Sequence, residues 1–185
     1  MHALIVGGTG MLKGVVLKLN REGWKTTVVA RNRDRMDRLI KEAERPRNIG
    51  AALVDWHDAH ALIHEVSATR EAFGPYNLCV LWMHSSAQSS LAPLLEAVAD
   101  NGAAPWDLYH IKGSAASRPD QNWKPKTPSG CNYHEIILGF KLEDGGESRW
   151  LTHREIAGGT LEAIQSGCRK KIIGMVEPWE KRPGW

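Results

Sequence analysis

The sequence predicts an α/β domain, a three-layer, doubly wound parallel sheet of about seven strands. Three observations predict it. Short apolar runs alternate with stretches of helical spacing over nearly the whole chain, the gaps between them are short, and the first gap is rich in glycine. Strands joined by such crossovers lie parallel and are covered by helices on both faces. A chain of 185 residues is one domain by its length, and no linker or internal repeat divides residues 1–185.

The elements follow in order. "ALIVG" (3–7) is a continuous apolar run, the mark of a strand buried on both faces. Residues 10–22 carry helix spacing through Met11, Val15, Val16 and Leu19, and Gly23 stops them. "KTTVVA" (25–30) is β-branched and reads as the second strand, and 33–45 reads as a charged helix stopped by Pro46. "IGAALVD" (49–55) is the third strand, followed by a helix over 58–73 that ends at Gly74-Pro75. "NLCVLWM" (77–83) is the fourth strand, with a helix at 88–101, and "WDLYHIK" (106–112) is the fifth. The sixth is "YHEIILGF" (133–140). Thr152 three residues before Glu155 is a capping box opening a helix that closes at Gly167, and "KKIIGMV" (170–176) is the seventh strand.

Composition narrows the class. The chain is 42% hydrophobic and 24% charged, with a formal net charge of +3, which is ordinary globular composition and too weak a charge to imply a nucleic-acid partner. Lys and Arg gather at 31–47, at 118–126 and near the C-terminus, and are expected to be mostly solvated surface. Three scattered cysteines without CxxC spacing argue for a reducing compartment. The N-terminal segment has the form of neither a signal nor a transit peptide, and no apolar run reaches membrane-span length. The expectation is a cytoplasmic protein that uses no membrane. His57, His60 and His64 share a helical arc, and a solvated stripe is expected there rather than a metal site.

Ligands of such sheets bind at the carboxyl ends of the strands, near the point where strand order reverses. "GGTGMLKG" (7–14) lies there, between a strand and a helix. Glycines allow a tight turn and close backbone approach, and a helix start offers free N–H groups to a pyrophosphate. Gly7, Gly8, Thr9, Gly10, Met11 and Leu12 are therefore candidate contacts for a dinucleotide. The second strand ends in "ARNR", where NAD-preferring folds place an acid for the ribose hydroxyls. Here Arg31 and Arg33 flank Asn32, and guanidinium groups suit a 2′-phosphate, so NADP(H) is the expected cofactor.

On these residues the chain resembles a shortened, atypical short-chain dehydrogenase/reductase with a Rossmann fold, over nearly its whole length. Gly8 and Gly14 match glycines of that family's turn, while the middle glycine is replaced near Met11 or Leu12. The resemblance implies that Asp55, with Trp56 beside it, meets the adenine amino group. It also implies that "LWMHSSA", including His84 and Ser85, packs near the adenine and ribose. "LGF", with Gly139 and Phe140, resembles the turn whose backbone receives the nicotinamide amide.

"GSAASRPDQNWKPKTPSGCNYHEI" (113–136) is the anomaly, a polar stretch with three prolines. In catalytic members of the family a Ser ends the fifth strand, and a following helix carries Tyr-x-x-x-Lys. Ser114 matches the serine. Tyr133 is followed four residues on by Ile137, and Tyr109 and Lys112 are one step too close, so the helix is expected to be missing. Tyr133, His84 and Ser114 remain as candidate catalytic groups, with a structural role also open for Tyr133. Two functions fit: an NADPH-dependent oxidoreductase reducing a small carbonyl or imine, and a non-catalytic NADP(H)-binding sensor or regulator. Loss of a crossover helix is expected to expose apolar side chains of "EIILGF", covered by a second copy in a homodimer or higher homo-oligomer. The competing expectation is that the 115–132 loop folds back, with Trp123 filling the gap.

Overall fold

The computed structural model describes residues 1–83, 88–99 and 104–184. Seven strands form one sheet: β1 (His2–Val6), β2 (Lys25–Ala30), β3 (Ile49–Leu53), β4 (Leu78–Trp82), β5 (Trp106–Lys112), β6 (Cys131–Leu138) and β9 (Lys170–Ile173). They lie in the order β3-β2-β1-β4-β5-β6-β9, and every neighbouring pair is parallel. The order reverses between β1 and β4, which places the ligand-binding crevice over the glycine turn. The predicted doubly wound sheet is therefore the observed architecture.

One core lies under α1 (Lys13–Arg21), α2 (Arg33–Glu42) and α5 (His153–Ser166), where Val15, Leu19, Met36 and Ile156 meet Ile5, Val28 and Ile136. The other lies under α3 (Ala59–Phe73) and α4 (Gln88–Ala99), with Leu62, Val66, Leu94 and Leu95 against Leu4, Val29 and Leu81. Helix limits follow local chemistry. Asn32 caps α2 by accepting from the Arg35 amide, and Asp58 caps α3 by accepting from Ala61. The Thr152–Glu155 capping box opens α5 as its spacing predicts, and Gly167, at φ 63°, ends it in the left-handed conformation.

Two features depart from the sequence expectations. The sixth strand ends at Leu138, and a small antiparallel hairpin follows, β7 (Phe140–Leu142) with β8 (Ser148–Trp150). Gly139 is the break: a Cβ there would lie 2.0 Å from the Met175 carbonyl oxygen, because the backbone beyond β9 crosses it. The amide of Phe140 donates to that carbonyl and the amide of Met175 donates back to Phe140.

The second departure concerns the face left without a crossover helix. Between β5 and β6 the chain forms only two short 3-10 turns, Ser114–Ser117 and Pro119–Gln121. The apolar residues expected to lie bare are covered: Ile136, Ile137 and Phe140 are fully buried and Leu138 is nearly so. The premise for a homo-oligomer, an exposed apolar "EIILGF" face, is absent. The loop folds back, yet Trp123 does not plug a gap, for it is 46% exposed. Polar groups hold the loop. Lys112 donates from Nζ to Glu135 at 2.5 Å, to the Asn122 side chain at 2.6 Å and to the Trp123 carbonyl at 2.8 Å.

Candidate functional site

The glycine turn begins at Gly7, whose φ of 91° suits glycine. Its carbonyl accepts from the amides of Gly10 and Leu12, and the Gly10 carbonyl accepts from Lys13. The amides of Thr9 and Met11 donate to no group among the described residues. Helix α1 then starts without a side-chain cap and without an acid in its first turn, so its positive end is unopposed. Gly8 lets the turn sit on the core: a Cβ there would lie 2.8 Å from methyl groups of both Val16 and Val28. Leu12 is buried, so its side chain serves packing and only its backbone faces the turn.

At the exit of β2, the Arg31 guanidinium lies 5.1 Å over the Trp56 ring, and its Nη1 is 3.5 Å from Asp55. Asp55 accepts from the amide and the ring nitrogen of His57, at 3.0 and 2.7 Å. Those hydrogen bonds, with Arg31 behind them, hold its carboxyl below the usual range. Asp55 is therefore already a hub within the protein, with part of its side chain left open to solvent. The buried indole nitrogen of Trp56 has no partner among the described residues. Asn32 is engaged as the α2 cap, while Arg33 is exposed and forms no ion pair among the described residues. His57 precedes α3 rather than riding on it, and the described residues hold no cluster of His, Cys, Asp and Glu suited to a metal.

The residues expected near the nicotinamide part company. His84 and Ser85 lie outside the described residues. Ser114 follows the carboxyl end of β5, is buried, and its hydroxyl finds no hydrogen-bond partner among the described residues. Gly139 and Phe140 lie at the carboxyl end of β6. Their amides donate to Ile173 and Met175, so neither N–H is available to a carboxamide.

Tyr133 is not brought to this edge. The register runs Leu4–Cys79–Leu108–Tyr133, three residues short of Gly7 and three strands away. It lies five residues before Leu138, on the order of 16 Å along the strand. There its hydroxyl is 3.1 Å from Nδ1 of His110, and burial raises the pKa of the phenol. A catalytic assignment to Tyr133 is corrected on this ground. Tyr109 and Lys112 point to opposite faces of β5, since an odd separation along a strand does so: Tyr109 stacks on His134, and Lys112 lies on the Tyr133 side.

Three groups at the site were not expected from sequence. Lys112 is a buried ammonium two residues before Ser114. Burial lowers its pKa while Glu135 opposes that shift. Burial likewise works to raise Glu135, but the Lys112 hydrogen bond and charge prevail and hold it low, so the two form an ion pair. Arg118, just after the first 3-10 turn, lies 3.9 Å over the Trp179 ring, and Arg182 lies 4.5 Å from the same ring. The segment after β9 thus crosses the carboxyl end of β6 to reach the exit of β5.

No protein-family model matches the chain. No curated protein matches it in sequence. Solved structures do match. An alcohol dehydrogenase from Thermococcus sibiricus, complexed with 5-hydroxy-NADP, superposes with a TM-score of 0.69 at 14% identity, over 100% of this chain and 99% of that one. A short-chain dehydrogenase/reductase of Brucella melitensis gives 0.70 at 13% identity over 94% of each chain. The fold is that of the short-chain dehydrogenases/reductases. One from Burkholderia phymatum, in complex with NAD, gives 0.68 at 13% identity, over 96% of this chain and 89% of that one. At such identities the likeness is one of fold: a parallel Rossmann-like sheet with helices on both sides. No helix among the described residues is long and apolar enough to cross a membrane.

Proposed function

We propose that the chain binds NADP(H) as a short-chain dehydrogenase/reductase-like oxidoreductase and reduces a small carbonyl or imine. The observation that carries the reading is the turn after β1: free amides at Thr9 and Met11, followed by an uncapped helix start, at the reversal of strand order. Such a cradle fits a pyrophosphate. Arg31 and Arg33, with no acid at the β2 exit, favour a 2′-phosphate, and the Trp56 ring beside Arg31 offers a flat face to an adenine. The neighbours' bound molecules, an NADP analogue in one and NAD in another, agree with a nicotinamide dinucleotide and leave the choice between them to these side chains.

When bound, the nicotinamide supplies hydride. The chain's own part is to bind, orient and exclude water. Ser114 presents an unpartnered hydroxyl at the carboxyl end of β5, placed to donate a hydrogen bond to a substrate oxygen or nitrogen. Lys112 does not serve a tyrosine here, since its hydrogens go to Glu135, Asn122 and Trp123. A non-catalytic NADP(H) sensor is the second reading, raised by the two 3-10 turns that join β5 to β6.

Titration calorimetry with both cofactors tests the binding. NADPH is expected to bind more tightly than NADH. Arg31→Ala is expected to cost about 1.5–3 kcal/mol of NADPH affinity, through lost charge-assisted hydrogen bonds, and to leave NADH nearly unchanged. Equal affinities would remove the NADP preference. For chemistry, NADPH oxidation is followed against a panel of carbonyls and imines, and Ser114→Ala is expected to lower turnover by roughly 10²-fold with NADPH affinity intact. Tight NADPH binding with no turnover of any member would decide for the sensor.

A further inference from the structure

A second concavity lies away from the cofactor edge. A cavity of 380 Å³ opens between the starts of β6 and β9 and the loop that joins β5 to β6. That volume falls within the range of small-molecule sites, roughly 300–1,000 Å³. Lys124 from the loop, Arg169 and Lys170 at the start of β9, and Asn132, Tyr133 and Glu135 of β6 line it. It lies against the amino-terminal half of β6, away from the carboxyl edge that carries the glycine turn.

Its charge is one-sided. Glu135 is the one carboxylate among the lining residues, and it is taken up by Lys112 at 2.5 Å and Lys170 at 3.5 Å. Lys124 and Arg169 form no ion pair among the described residues. Lys124, Arg169 and Lys170 thus line the cavity with a single acid, Glu135, which Lys112 already pairs, leaving an excess of two positive charges around a concave surface. The Lys124 ammonium sits 5.9 Å from the Tyr133 ring centroid, a cation–π contact that holds this exposed side chain beside the cavity. Like charges gathered without a counterion repel one another, and an oxyanion between them would relieve that repulsion while gaining charge-assisted hydrogen bonds.

We propose that this cavity is a binding site for a small oxyanion, a phosphate- or carboxylate-bearing metabolite, held by Lys124 and Arg169. The site is independent of the cofactor and of the reaction assigned to the carboxyl edge. Lys124 belongs to the loop that begins at Ser114, and Arg169 precedes β9, so an occupant ties the loop to the edge strand.

The test is titration calorimetry of the full chain with inorganic phosphate and, separately, with citrate, at ionic strength held constant with potassium chloride. Saturable binding of at least one is expected, and which of the two binds distinguishes a phosphate from a carboxylate ligand. The Lys124→Ala/Arg169→Ala variant, whose substitutions lie on exposed side chains, is expected to weaken that binding by roughly tenfold or more with an unchanged melting temperature. Absence of saturable binding by both probes would overturn the proposal. So would undiminished binding in the double variant, because the oxyanion would then sit elsewhere, the glycine turn included.

Discussion

Acidification from pH 7 to pH 4.5 is expected to remove several kcal/mol of stability, most of it above the range in which carboxylates take up protons. Two buried histidines are responsible. His2 is 1% exposed, its ring held between the Gly74 carbonyl and the Thr27 hydroxyl, and burial lowers its pKa to about 4. His110 is 6% exposed beside Tyr133, and burial, with Lys112 nearby, lowers it to about 4 as well. Other charged groups near His110 pull both ways, since Glu135 raises its pKa while Lys112 lowers it.

In the unfolded chain both rings titrate near the ordinary value of about 6.5. Between that value and the folded one the unfolded state binds the extra protons, so stability is complete above pH 6.5 and falls as pH drops toward 4. A shift of this size is worth on the order of 3 kcal/mol per ring. Urea unfolding at several pH values is expected to show a slope approaching two protons near pH 5, and His110→Gln is expected to halve it. The carboxyls held low, Asp55, Glu135 and Glu155, add their own loss only further into acid. A midpoint that does not move between pH 7 and pH 5 would show that neither histidine is held neutral by the fold.

Replacing Glu135 by Leu is expected to destabilise the protein by about 3–5 kcal/mol, because it leaves the Lys112 ammonium buried without its counterion. Asn122 and the Trp123 carbonyl would remain as neutral acceptors, too few to replace a carboxylate. With Glu135 gone, Lys112 sheds its proton more easily, so the variant should regain stability as pH rises toward the ordinary lysine value of about 10.4. The double variant Lys112→Met/Glu135→Leu should recover most of the loss, since a buried ion pair often contributes little over apolar residues of similar volume. Equilibrium unfolding of the three proteins in urea measures this. A single variant within about 1 kcal/mol of the parent would mean that water reaches Lys112 freely.

The Lys112–Glu135 pair also explains how the domain manages without a crossover helix between β5 and β6. An apolar strand face would need an apolar cover. This face carries His110, Lys112, Tyr133 and Glu135, and a proline-broken polar loop suffices to close it with Asn122 and one main-chain carbonyl.

Elements whose determinants are local were legible in the sequence. The seven sheet strands, the helices α1 to α5 and the glycine turn follow from short apolar or β-branched runs, from a helical spacing of 3.6 and from caps a few residues apart, as at Thr152 and Glu155. The hairpin after Gly139 was not, since three-residue strands carry too little alternation, and its start depends on a crossing at Met175, 36 residues away in the chain. The placement of Ser114 at the carboxyl end of β5 was legible because it follows a strand, and that of the glycine turn because a strand and a helix bracket it. Tyr133 was misread and Lys112–Glu135 unseen for one reason. Which residues face each other across β5 and β6 is set by register, and register is decided by long-range pairing: Lys112 aligns with Ile137, which puts Glu135 diagonally beside it and Tyr133 far below the carboxyl edge. The sequence by itself determined the layers, the turn and the polarity of the anomalous stretch, all properties of neighbours along the chain. Only the tertiary structure decided which polar groups meet beneath that stretch and which edge of the sheet they occupy, because both depend on partners brought together across the sheet.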